Sequence, residues 1–363
     1  GHILHDDRRI EGFLVPSLAE TARTKLRRHM PFERELQPLF KLYTELAILD
    51  RIWTHLIHTN SPIQSDYFEY YAARSFETIK DYMEELQSGP RLFATDPFYV
   101  AIQQSVRALL VIEQGVPQLR LAAYLNFWLR LFTSPAQISE ELAALHDLSA
   151  TTTDINIDVV KTAFTILQKD EQAFHDCLQL VNAASIDTFI AIAKFAMELD
   201  ATIYTEQLLK ALIPYLPDFI QHHLSPMQRQ QMTWVLDDLY SNLTLSEDEE
   251  LQLYSAYGKY GVQPFSDYLI KNERYSDWAA LHQLYPSSIA YLDRCGLKTV
   301  LANAPETTLP LYHHYAMEEI RQKSRLNYKQ AVRIWRNMKS AAKKAGKMTF
   351  WEDYIQTIRL QYK

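Results

Sequence analysis

Glycine is scarce: eight occur in 363 residues, roughly 2% against a usual share of about 7%. Hairpin turns, β-bulges and phosphate-cradling loops draw on glycine for positive φ or for close backbone approach. Strand-rich folds and nucleotide-binding α/β folds are therefore poorly served by this chain. No GxGxxG, GxxxxGK[ST] or GxSxG pattern occurs, so the common linear signatures of dinucleotide, nucleoside triphosphate and acyl-transfer sites are missing.

Cysteine is nearly absent. Cys177 and Cys295 stand far apart with no CxxC or CxC spacing, which argues against a disulfide framework and a cysteine zinc site and fits a reducing cytoplasm. Long apolar runs are lacking too. Leu119 to Phe132 is interrupted by Arg120 and Arg130 and falls short of the roughly 20 residues that span a bilayer, so no membrane partner is expected. HExxH is absent. His55 and His58 share a helical i, i+3 spacing, but no third ligand accompanies them, so no metal and no cofactor are expected.

What is present is helix. Apolar residues are 47% of the chain and charged residues 22%. From Pro31 onward, Leu36, Leu39, Phe40, Tyr43, Leu46, Ala47, Leu49 and Ile52 recur at helical spacing, one buried stripe. Ser65, Asp96-Pro97, Ser134-Pro135 and Ser225-Pro226 read as helix starts, and Ser246 with Glu249 has capping-box spacing. Ser88-Gly89-Pro90 reads as a stop. The pattern predicts roughly fifteen helices joined by short connections. The expected fold is all-α: irregular antiparallel helical-hairpin repeats stacked as an α-solenoid, a tetratricopeptide-like right-handed superhelix, although no clean repeat of about 33–45 residues emerges. The polar stretch Ser149 to Asp154 reads as a linker. It predicts an N-terminal helical subdomain over 1–148 and a repeat region over 149–363.

Charge is uneven. The net charge is −7, yet Arg321 to Lys363 holds 12 Lys+Arg against 2 Asp+Glu. On a helical wheel from Tyr328, Ala331, Val332, Ile334, Trp335, Met338, Ala341 and Ala342 share one arc, while Lys329, Arg333, Arg336, Lys339, Lys343 and Lys344 share the other. Gly346 is placed as a left-handed stop. Thr349 and Glu352 have capping-box spacing before a second face of Phe350, Trp351, Tyr354, Ile355, Ile358 and Tyr362. This basic C-terminal hairpin, 321–363, has one dry side and one strongly positive side. The positive side, chiefly Lys329, Arg333, Arg336, Lys343 and Lys344, reads either as a solvated outer surface or as a seat for phosphates or an acidic partner. A second basic cluster, Arg23 to His29, reads more simply as a helix end. The aromatic stretch Asp66 to Phe76 reads as a packing centre.

"ERYSDWAALHQLY" (Glu273 to Tyr285) followed by "APETTLPLYHHYAMEEIRQKSRLNYKQAVRIWRNMKSAAKKAGKMTFWEDYIQTIR" (Ala304 to Arg359) resembles the C-terminal helical repeat region of bacterial SWIM zinc-finger proteins. The resemblance covers roughly the last quarter of the chain and rests mostly on packing positions. The CxC and CxH of the family's namesake finger do not occur, so its metal site is not carried over. If the likeness holds, this chain is a portion of a longer protein, and the resemblance implies a parent that binds DNA or other proteins. The function expected is a non-catalytic scaffold for a protein or peptide partner. Two alternatives stand beside it: a nucleic-acid-associated region that binds phosphates through the basic hairpin, and an all-helical enzyme whose site leaves no linear motif.

Overall fold

A computed structural model describes residues 12–59, 66–89, 96–111, 115–149 and 154–362. Among the described residues there are nineteen α-helices of six residues or more and no strand. The chain divides into two compact units, Gly1–Tyr215 and Leu216–Lys363.

The first unit contains α1 (Val15–Leu26), α2 (Gln37–His58), α3 (Asp66–Ser88), α4 (Asp96–Ala108), α5 (Pro117–Arg130), α6 (Pro135–Leu148), α7 (Ile157–Gln168), α8 (Glu171–Leu178), α9 (Ile186–Glu198) and α10 (Thr202–Leu212). Neighbours in sequence pack together, α2 on α3, α6 on α7 and α9 on α10, and so do alternate helices, α1 on α3, α3 on α5 and α7 on α9. The helix α5 also packs on α9, four helices later. Aromatic rings fill the centre: Trp128 of α5 meets Phe164 of α7 edge to face at 4.9 Å, and Trp53 of α2 meets Phe68 of α3 likewise at 5.1 Å.

The stripe expected on α2 is present and extends further than expected. Leu39, Leu46, Leu49 and Ile52 are buried, as are Leu42, Ile48, Trp53 and Leu56. Tyr43 and Ala47 are exposed, whereas Glu45 is buried. The buried carboxylate is explained by its partner: Arg23 of α1 donates from Nε at 2.5 Å and from Nη2 at 3.0 Å, a fork across two helices. One member of the Arg23 to His29 cluster is thus committed to the fold. Ser134 caps α6 through the Gln137 amide. Ser65 and Pro90 lie outside the described residues.

The division expected at 149 does not coincide with the division between Tyr215 and Leu216. The helices on either side of 149, α6 and α7, pack together. Asp154, the last residue of that stretch, pairs with Arg120 of α5. Arg120 is fully buried and also donates to the carbonyls of Leu109 (2.7 Å) and Gly115 (2.8 Å). The charge that interrupts the apolar run Leu119 to Phe132 is therefore a core residue with all of its needs met nearby.

The second unit contains a short α11 (Leu216–Asp218) that runs into a π turn over Phe219–His223, then α12 (Pro226–Tyr240), α13 (Glu247–Tyr257), α14 (Val262–Lys271), α15 (Tyr275–Leu284), α16 (Ile289–Arg294), α17 (Leu297–Asn303), α18 (Leu309–Arg321), α19 (Arg325–Lys344) and α20 (Met348–Gln361). Ser225 and Ser246 each form the reciprocal capping box, with Gln228 and Glu249. One core joins α14 to α20 around Trp278, Leu297, Val300, Tyr312, Met338 and Trp351. The Trp278 indole donates to the Cys295 carbonyl at 2.8 Å. Gly296 takes φ +89°, a left-handed conformation that strains any side chain, and a Cβ there would also push aside the end of Ile270, 2.2 Å away.

With so little glycine, the helices must stop by other means. Lys169, Asp200 and Glu273 all take φ between +53° and +56°. Each is followed by an amide that bonds back over five residues: Asp170 to Thr165, Ala201 to Ala196, and Arg274 to Leu269. These are left-handed helix stops built from non-glycine residues. Lys169→Gly is therefore expected to raise stability by a few tenths to about 1 kcal/mol in urea unfolding; a loss of stability would show that the left-handed turn carries no strain.

Candidate functional site

The basic hairpin is set up by its termini. Ser324 caps α19 by accepting from the Asn327 amide at 3.1 Å. At the other end Gly346 takes φ +68°; its amide bonds the Lys343 carbonyl at 3.2 Å, and the Lys347 amide bonds the Ala342 carbonyl at 2.8 Å. That is the double-bonded glycine stop expected at this position. The start of α20 differs from expectation. The helix begins at Met348 with Lys347 as its cap residue and no side-chain cap bond, so Thr349 lies within the first turn and the Thr349–Glu352 box does not form.

The dry side is narrower than the wheel predicts. Ala331, Ile334, Met338, Ala341 and Ala342 are buried, and α18 packs along them. Val332, Tyr328, Phe350 and Tyr362 are exposed. They sit at the margins of their arcs, where neighbouring helices do not reach. Three helices are fastened by one phenol: the Tyr354 hydroxyl of α20 accepts from Trp335 Nε1 of α19 at 3.0 Å and bonds His313 Nδ1 of α18 at 2.9 Å. The His313 pKa is lowered, by burial first and then by His314 and Arg321.

All five predicted residues, Lys329, Arg333, Arg336, Lys343 and Lys344, are exposed on α19, with Lys339 among them. None forms an ion pair among the described residues; Arg333 makes one weak bond, to Gln330 at 3.4 Å. Lys343 and Lys344 lie in the last turn, where the helix dipole favours cations.

Arg333 alone of the five also lines a cleft. This open hollow of about 830 Å³ lies between the Pro286–Ile289 segment, α18 (His314, Glu318, Glu319) and α19. Its carboxylates are engaged: Glu318 with Arg321, and Glu319 with the Asn327 amide group at 2.5 Å. The cleft offers hydrogen-bonding groups of both signs and no nucleophile held against a base.

The pair that most resembles such an arrangement lies elsewhere. Ser266 Oγ and His282 Nε2 are 3.0 Å apart, and both residues are fully buried. However, Ser266 donates its proton to the Val262 carbonyl at 2.6 Å. The imidazole is therefore the donor in this pair, the reverse of what an activated serine requires. Cys177 has a thiol pKa raised by burial, opposite to a reactive thiolate. Among the described residues no group of three His, Cys, Asp or Glu side chains converges to hold a metal, and no single helix is long and apolar enough to cross a membrane. His222 bonds Asp218 at 2.7 Å on the surface.

A cleft missed by pattern reading is formed by α12, α13 and α14, where Asp237, Glu250 and Asp267 meet Tyr240, Tyr254 and Tyr268. Each helix contributes one acid and one tyrosine, so no segment carries the signal by itself.

No protein-family model matches the chain, and no solved structure matches it. Its sequence is 24% identical over 347 residues to the uncharacterized protein YwqB of Bacillus subtilis, an alignment that covers 93% of this chain and 64% of that protein. The chain is thus a distant homologue of YwqB and spans about two thirds of its length, 64%.

Proposed function

We propose that this chain is a non-catalytic helical scaffold that docks an acidic segment of a protein partner along the α19 face. The observation that carries the reading is the unpaired row of Lys329, Arg333, Arg336, Lys343 and Lys344 on a helix whose other side is locked into the core. A row of cations without ion-pair partners among the described residues is available to a partner, and a helix fixed at both ends presents it in one geometry. The packing of alternate helices, α1 on α3, α3 on α5 and α7 on α9, supports an irregular solenoid of stacked hairpins in the first unit, a form suited to presenting extended surfaces. The likeness of Glu273 to Arg359 to the repeat region of SWIM zinc-finger proteins supports a place within a longer member of that family. The greater length of YwqB is compatible with that reading.

A second reading places phosphates of nucleic acid on the same row, because successive cations on one face match a polyanion whatever its sequence. One titration separates the two. An acidic peptide such as polyglutamate and a short DNA duplex are each titrated against the chain at low and moderate salt. Docking of an acidic segment predicts that the peptide binds and that alanine at all five positions weakens it by about tenfold or more. The phosphate reading predicts duplex binding whose log affinity falls against log salt with a slope of about −4.5 if all five cations engage. If neither probe binds at low salt, the face is only a solvated surface and the proposal is wrong.

A further inference from the structure

The cleft between α12, α13 and α14 has the opposite character to α19. Its volume is about 390 Å³, and its walls carry Asp237, Glu250 and Asp267 together with Tyr240, Tyr254 and Tyr268. None of the three carboxylates has an ion-pair partner among the described residues. Asp267 accepts only two long bonds from Gln263, each at 3.3 Å. Lys271, also on the wall, is the cleft's cation, so acids outnumber bases three to one there. The Asp237 carboxyl is held above the usual range by burial first, then by Asp267 and Asp238, the mark of negative charge gathered without compensation.

The aromatic wall is ordered. Tyr254 stacks on Phe265 with centroids 5.6 Å apart and planes within 10°, and lies 5.1 Å from Tyr268. Behind it Tyr257 is completely buried, and its hydroxyl has no hydrogen-bond partner. Its pKa is raised, by burial first and then by Asp237, Tyr240 and Tyr254, three residues of the cleft wall.

We propose that this cleft binds an organic cation, an alkylammonium or guanidinium group the size of a lysine or arginine side chain, held between the Asp237–Asp267 carboxylates and the face of Tyr254. Carboxylates attract the charge, and an aromatic face favours a weakly hydrated cation over a hard metal ion. The absence of three metal-ligating groups in mutual reach among the described residues points the same way. The proposal is independent of the α19 face.

The test is calorimetric titration of the chain with spermidine and, separately, with a short amidated arginine-containing peptide, at low ionic strength. Binding of either supports the proposal, and which one binds tells a free polyamine from a basic peptide. Asp237→Asn combined with Asp267→Asn is expected to weaken binding by about tenfold or more, and Tyr254→Leu by about threefold or more. Lys271→Ala is expected to leave binding intact or strengthen it. Matched melting temperatures exclude a folding effect for the Asn pair. Should Tyr254→Leu unfold the chain, the tyrosine ultraviolet difference spectrum of the unaltered protein decides: a change on titration supports the site, and a silent spectrum overturns it. The proposal also fails if neither probe binds at millimolar concentration, if the Asn pair binds equally well, or if magnesium displaces the probe better than sodium at equal ionic strength.

Discussion

Glu141→Ala is expected to destabilise the first unit by about 3 kcal/mol or more. The carboxylate of Glu141, on α6, is completely buried. It accepts from Gln103 Nε2 at 3.1 Å, from Arg107 Nε at 3.1 Å and Nη2 at 2.5 Å, and from the Tyr124 hydroxyl at 2.9 Å. Three donors from α4 and α5 therefore end on one side chain. Burial first, and then Glu141, keep the Tyr124 phenol well above its usual pKa, so the phenol stays a donor throughout the physiological range. Truncation leaves a largely desolvated guanidinium, an amide and a phenol without their acceptor, and that loss exceeds the net worth of the bonds themselves. Glu141→Gln keeps an acceptor oxygen but loses the charge and is expected to fall between the two. Urea unfolding followed by far-ultraviolet circular dichroism measures both. A loss under about 1 kcal/mol for the alanine variant would show that water satisfies the orphaned donors.

Stability in the second unit is expected to fall as pH drops from about 6.5 toward 4, by up to about 3 kcal/mol. The responsible group is His282, fully buried against Trp278 at 4.4 Å between ring centroids, with Nδ1 unpartnered. Burial lowers its pKa to about 4. The unfolded chain binds this proton near the ordinary histidine value and the folded one does not, so between those two pH values the unfolded state takes up more protons. Stability is complete above about 6.5 and declines below it. Asp237 has the opposite sign, because its raised pKa lets the folded state take the proton first, which offsets part of the loss. Urea midpoints at pH 7 and pH 4.5 for the unaltered chain and for His282→Leu isolate the histidine. The variant should lose much of the acid sensitivity, and an unchanged pH profile would assign that sensitivity elsewhere.

Much of the architecture was legible in the sequence because its signals are local. The caps at Ser134, Ser225 and Ser246 and the stop at Gly346 each depend on residues within one turn. What escaped is non-local. Glu45 and Arg23 lie 22 residues apart, and Glu141 and Arg107 lie 34 apart; no spacing rule links them. An arginine in an apolar run looked like an interruption, while its partners lay in a loop carbonyl and in Asp154. The stops at Lys169, Asp200 and Glu273 escaped because a lysine or an acid in the left-handed region leaves no trace in composition. On the site side, the α19 row was readable from one helical wheel. The acidic–aromatic cleft was not, since three helices each supply a fragment of it.

The α19 row has a mechanical side. Arg333 with Arg336, and Lys339 with Lys343, stand three and four residues apart, where like charges repel by a few tenths of a kcal/mol per pair. The helix keeps these like charges side by side, held by the bonds of Tyr354 to Trp335 and His313 and by the left-handed stop at Gly346. Dissolved ions relax that repulsion by screening, so added salt steadies the one helix that carries the row.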